Sequence, residues 1–148
     1  MNQILDIFQN RVLWAAVIAW FLAQALKVLL HYLLEGKLDF SRMHGLGGMP
    51  SSHCAFLWAA SMSIGFQEGF FSAMFGLAVC ITLVVMTDAA GVRQATGKQA
   101  AVLNRILEGM LHQGKGLDEE KLKELIGHTP IQVFAGALLG VLVGVMVG

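Results

Sequence analysis

Two short stretches of this chain carry side chains that can grip and transfer a phosphoryl group: Gly47-Gly48-Met49-Pro50-Ser51-Ser52-His53 and Gly127-His128-Thr129-Pro130-Ile131-Gln132. They share one design: glycine ahead, a proline suited to a first helical turn, hydroxyls able to cap that turn, and a histidine. A helix that starts this way offers free N–H groups and the positive end of its dipole to an anion. Two imidazoles at such a site support covalent phosphoryl transfer, one attacking phosphorus and the other protonating the leaving oxygen. Taken singly, each stretch also reads as a glycine turn, a hydroxyl cap and a bystander histidine.

Such chemistry further needs cations and hydrogen-bond donors around the phosphoryl oxygens. Ser51 and Ser52 supply hydroxyls, and Arg42, Arg93 and Lys98 are the nearest cations by location. Each of those three is equally an ordinary basic flank of a membrane span. Asp88 and Arg93 stand five apart among small residues where the third apolar segment ends. Asp88 would there orient Arg93 or a histidine, bind a divalent metal, or close a local ion pair at a helix terminus. Gln132 follows His128 by four residues, one turn along the same face, where it can hold the ring.

The elements that must position these residues are membrane spans. The 148 residues make one domain, 56% hydrophobic and only 14% charged, with a mean hydropathy of +0.66; soluble domains carry about 25% charge. The net charge of zero gives no electrostatic support to a nucleic-acid partner. Cys54 and Cys80 lie in apolar segments and read as small buried hydrophobes, with neither a disulfide framework nor a C-x-x-C metal site. Residues 1–11 are too polar for a signal peptide. The pattern predicts an all-α integral-membrane bundle of about four transmembrane helices, near 12–34, 52–66, 70–87 and 130–147, with a cytoplasmic helical insert over 88–128. The 52–66 segment is short and holds Ser61 and Ser63, so it belongs among its neighbours rather than in lipid. Lys27 and His31, four apart in the first span, point to protein or water. Residues 67–69 make a turn so short that the second and third spans must be antiparallel. Glycines at 136, 140, 144 and 148 stripe the last span for close helix packing and are compatible with a homodimer. Within the insert, Val102, Leu103, Ile106, Leu107, Met110 and Leu111 recur at helical spacing, an amphipathic segment able to lie on the membrane or cover the site.

With these motifs in place, the chain resembles a known superfamily. Pro50-Ser51-Ser52-His53 resembles the P-S-G-H motif of the type 2 phosphatidic acid phosphatases, a superfamily that also includes vanadium haloperoxidases. His128-Thr129-Pro130-Ile131-Gln132-Val133-Phe134-Ala135-Gly136 resembles the H-x-x-x-D-V-x-A-G end of its last motif. From Gly47 through Asp88–Asn104 to the last span, the chain is similar to the small divergent branch of that superfamily. The resemblance implies a metal-independent phosphatase needing no cofactor, acting on a membrane lipid or polyprenyl phosphate. His128 would form a phosphohistidine and His53 would protonate the leaving alcohol, while Ser51, Ser52 and basic residues hold the phosphate. Three departures accompany it: the K-x6-R-P motif is absent, Lys121 and Leu122 stand where an S-R pair is expected, and Gln132 replaces an orienting carboxylate. The alternative reading is a catalytically weak relative that binds anionic lipid headgroups or serves as a scaffold.

Four spans put both long connections on one side. That side carries eight Lys or Arg (37, 42, 93, 98, 105, 115, 121 and 123), whereas the other has Arg11 alone outside the first span. The positive-inside rule places the eight, and the site with them, in the cytoplasm. Cysteines introduced at Gln3 and Lys115 are expected to label oppositely, Gln3 from outside the cell and Lys115 only after permeabilisation. Labelling of the Lys115 site in intact cells would reverse the orientation.

Overall fold

The computed structural model of the chain describes residues 6–36, 48–111 and 128–148, without the side chains of 92–94, 96 and 107–111. Among the described residues, five helices follow a 3-10 turn at Ile7–Gln9: α1 (Arg11–Glu35), α2 (Ser52–Glu68), α3 (Ala73–Ala90), α4 (Val92–Leu111) and α5 (Pro130–Val147). Helices α1, α3 and α5 are each long and apolar enough to cross a membrane. Helix α2 has 17 residues, about 25 Å at 1.5 Å per residue. It is the hub of the bundle, packed against α5, α1 and α3, as a short, serine-containing span requires.

Starts and stops follow from local chemistry. Asn10, Ser51, Ser72 and Thr129 cap α1, α2, α3 and α5, each accepting a backbone N–H from three residues ahead. Gly36 ends α1 in the left-handed conformation that a side chain disfavours. Gly69, with φ +89°, ends α2 one residue after Glu68. The turn into α3 therefore includes Phe70 and Phe71, and α3 begins three residues later than the hydropathy run that starts at 70. Phe70 does not lie in a span; its ring packs edge-on to Phe66 and Phe75, stapling the two helix ends together. At its other end α3 continues to Ala90, so Asp88 is in its last turn, and Gly91 alone separates α3 from α4.

The interior is built from small residues and the exterior from large ones. Ala15, Ala19 and Ala23 of α1 meet Ala55 and Ala59 of α2 in the core, while Phe21, Leu77, Val84, Phe134, Leu138 and Met146 face outward. This is the reverse of a water-soluble fold. In lipid, helix association relies on close backbone approach rather than on hiding large apolar groups from water. Hydroxyls and an indole tie α2 to α3: Ser61 and Thr82 share a hydrogen bond of 3.0 Å, and Trp58 Nε1 donates to Met86 Sδ at 3.1 Å.

The glycine stripe of α5 is spent inside the chain. A Cβ on Gly136 would fall on the Ser51 carbonyl, and one on Gly140 on the Ala55 carbonyl. At Gly144 a Cβ would press on Met62 and Ala59. The stripe thus seats α5 on α2. Gly140→Val is expected to destabilise the bundle by about 1–3 kcal/mol, as overpacking does. Gly76→Ala, where an added Cβ meets nothing within 4 Å, should be neutral or slightly stabilising. Thermal unfolding of both variants in detergent checks the pair.

Candidate functional site

The starts of α2 and α5 are docked side by side. The Ser51 N–H donates to the Gln132 carbonyl oxygen at 2.9 Å, and Gly136 lets the Ser51 carbonyl come against α5. Pro50, Ser51 and Ser52 are buried at this joint. Below it, Cys54 packs with Ala89 of α3 and Val133 of α5, so three helices converge under the two caps.

Helix α1 contributes what the sequence reading assigned elsewhere, a buried cation. Lys27 is only 6% exposed, and its Nζ donates to Ser52 Oγ at 3.3 Å. Its alkyl stem runs past Gly48, where an added Cβ would rest on Lys27 Cδ and Cγ. An ammonium withdrawn from water costs several kcal/mol unless it is compensated, and one hydroxyl occupies one of its three donors. The remaining donors suit an anion. Farther along the same stripe, His31 Nδ1 lies 3.3 Å from Glu35 Oε1, and Gln24 is buried one turn before Lys27. Lys27 and His31 thus face protein, as their spacing predicts. The sequence signal for a buried, partnered Lys27 is its place in an apolar run, where a lysine is costly without a partner.

His128 is buried at the entrance to α5, and its Nδ1 lies 3.3 Å from Gln132 Oε1. That oxygen also accepts the Thr129 backbone N–H at 3.1 Å, while Thr129 Oγ1 accepts the Gln132 N–H, completing a capping box. A backbone N–H can only donate, so the amide atom facing it is the oxygen. The same oxygen faces His128, which makes Nδ1 the protonated nitrogen and leaves the imidazole lone pair on Nε2.

His53 is exposed on a different side of α2. One residue after Ser52, it is turned about 100° around the helix axis and lines an open cavity of about 420 Å³ with Val17, Trp20, Phe56, Leu57 and Val85. The residues expected to hold phosphate fare differently. Ser51 Oγ accepts the Cys54 N–H at 3.5 Å and Ser52 Oγ meets Lys27, so both hydroxyls are at the joint. Lys98 is exposed on α4, which packs mainly on α3. Arg42 lies outside the described residues, as does the Arg93 side chain. Asp88 is half-buried next to Ala89. Among the described residues no three His, Cys, Asp or Glu side chains are grouped to hold a metal ion. On α4, Val102, Leu103, Arg105 and Ile106 are exposed and Asn104 is buried, while the side chains of Leu107, Met110 and Leu111 lie outside the described residues.

A membrane protein of Bacillus subtilis (strain 168), YuiD, described as uncharacterized, is 34% identical to this chain, covering 93% of it and 94% of the relative. No solved structure matches. The family model described as "Divergent PAP2 family" matches residues 8–143, from the turn before α1 almost to the end of α5, and so takes in Lys27, both helix starts and both histidines. The chain is therefore a membrane protein belonging to the divergent PAP2 family.

Proposed function

We propose that this protein is a phosphatase that removes the phosphate from a membrane lipid or polyprenyl phosphate through a phosphohistidine, at the cytoplasmic face and without a metal. The observation that carries the reading is the joint between Ser51 and Gln132, which docks the α2 start, with its buried Lys27–Ser52 pair, on the α5 start, where His128 is held against Gln132. Lys27, the Ser52 hydroxyl and the donors at the α2 start bind the phosphoryl oxygens. His128 Nε2 attacks phosphorus, and the bond from phosphorus to the lipid oxygen breaks. That oxygen takes a proton from His53, and water then attacks the phosphohistidine with His53 accepting the proton. Phosphoryl transfer wants attacking and leaving atoms roughly in line. His128 opens α5 and His53 stands in the first turn of α2, and these are the two helix starts that the Ser51–Gln132 contact docks together. Lys98, Arg93 and Arg42 would add positive charge at the same face, and Asp88 would orient one of them.

The second reading, a lipid-headgroup binder with little turnover, draws on Gln132. A neutral amide fixes the ring but does not stabilise an imidazolium as a carboxylate would. Phosphate release from a panel of lipid phosphates, with and without chelator, separates the two. Turnover that survives chelation supports the enzyme, and binding without turnover supports the alternative.

Two sets of variants test the roles. His128→Ala should remove phosphate release. Gln132→Glu should keep or raise it, by about tenfold at most, since that factor equals about 1.4 kcal/mol of added charge stabilisation. A carboxylate can still accept from both His128 Nδ1 and the Thr129 N–H, so the cap survives. Activity persisting in His128→Ala would assign the attack to another residue. Lys27→Met should lower the rate by about 10²–10³, the scale for losing one electrostatic stabiliser. Its melting temperature should hold or rise, because a buried charge is replaced by an apolar side chain of similar length. A folded, fully active Lys27→Met would remove Lys27 from the site.

A further inference from the structure

Beyond the phosphate end, the bundle carries a second feature that the reaction leaves unused: the open cavity of about 420 Å³ beside His53. Its size falls within the range of small-ligand pockets, about 300–1,000 Å³. Val17 and Trp20 of α1 form one wall, Val85 of α3 the other, and Phe56 and Leu57 of α2 the floor; the polar lining residue is His53, in the first turn of α2. Helix α5 contributes no lining residue, so the cavity lies apart from the Gly136–Ser51 joint while sharing α2 with it.

Its direction matters as much as its lining. Along α1, Trp20 and Val17 precede Lys27 by seven and ten residues, about 10 and 15 Å of helix. Fifteen ångströms is half the thickness of a bilayer's hydrocarbon core, about 30 Å, which is the depth one leaflet's chains occupy. An amphiphile whose charged group sits at the level of Lys27 and Ser52 would run its chain down this groove toward the bilayer midplane. The atom joining head to chain would pass His53.

We infer that the groove between α1 and α3, floored by Phe56 and Leu57, holds a hydrocarbon chain of the lipid phosphate; the inference rests on the phosphatase reading for the placement of the phosphate end. The groove then sets which chains are accepted, and Leu57 and Trp20 are specificity-determining positions. It also places the leaving oxygen next to His53 rather than next to His128.

The test is photolabelling of the purified full chain in nanodiscs with a phosphatidic acid bearing a mid-chain alkyl diazirine. Adducts are expected at Val17, Trp20, Phe56 or Leu57, suppressed by excess unlabelled phosphatidic acid and not by phosphatidylcholine. Leu57→Trp, which fills the groove, should reduce those adducts by about tenfold or more. Val84→Trp, on the outward face of α3, should leave them unchanged. If Leu57→Trp fails to fold, Val85→Phe takes its place. Adducts concentrated on Phe134, Leu138 and Leu142 of α5, or suppressed equally by phosphatidylcholine, would overturn the inference by showing ordinary surrounding lipid. Groove adducts in a protein that releases no phosphate would retain the chain site and remove the phosphatase reading. Phosphate release at unchanged KM in folded Leu57→Trp would do the reverse.

Discussion

One contact holds the functional end of this bundle together: the Ser51 N–H on the Gln132 carbonyl, made possible because Gly136 has no side chain to keep the two backbones apart. Caps normally face solvent, and two helix starts would repel through their like dipole ends. Here one cap's backbone donor is satisfied by the other helix, and the glycine steps at 140 and 144 continue the same seam downward. The place of His128 against the α2 start depends on that registration. A slide of one turn along the seam would move Ser51 off Gln132 and carry His128 away from the Lys27–Ser52 pair.

The polar side chains are over-determined in a way that suits a preorganised site. Gln132 serves at once as capping-box partner, acceptor for the His128 ring and backbone acceptor for Ser51. Three roles on one residue mean that the ring orientation, the helix start and the docking of α2 cannot vary independently. Catalytic geometry in enzymes needs such fixing to within a fraction of an ångström.

The all-α membrane class and the four apolar segments were legible in the sequence because hydropathy and the small-residue stripe report them directly. The packed position of the short second helix was legible from its serines. Boundaries were less so: the Phe70–Phe71 pair reads as span, and Gly69 with the Ser72 cap overrides it. The Thr129 cap followed from its place before Pro130, and the pairing of His128 with Gln132 from their spacing of one helical turn. At the other start the sequence left Ser51 or Ser52 as the cap with Pro50 suited to the first turn, and the structure caps at Ser51 and leaves Pro50 outside the helix. Lys27 did not emerge as an anion ligand, because its partner Ser52 is 25 residues away and only tertiary packing brings them together. His53 shows the opposite limit. Its motif names the residue, whereas the side of α2 it faces depends on where α1 and α3 leave a gap.

The shortness of α2 has a consequence for the surrounding bilayer. A lone helix of about 25 Å would be in mismatch with a hydrocarbon layer of about 30 Å, and lipids would thin or the helix would seek partners. Packed against α1, α3 and α5, α2 shares that mismatch with its neighbours rather than meeting it alone. At the site end α1 continues eight residues past Lys27, about 12 Å, so the α2 start, level with Lys27, lies that far below the end of its neighbour. Under the proposed function, a lipid whose phosphate meets Lys27 must sink about 12 Å below the end of α1, a depth that suits a small headgroup such as a bare phosphate monoester.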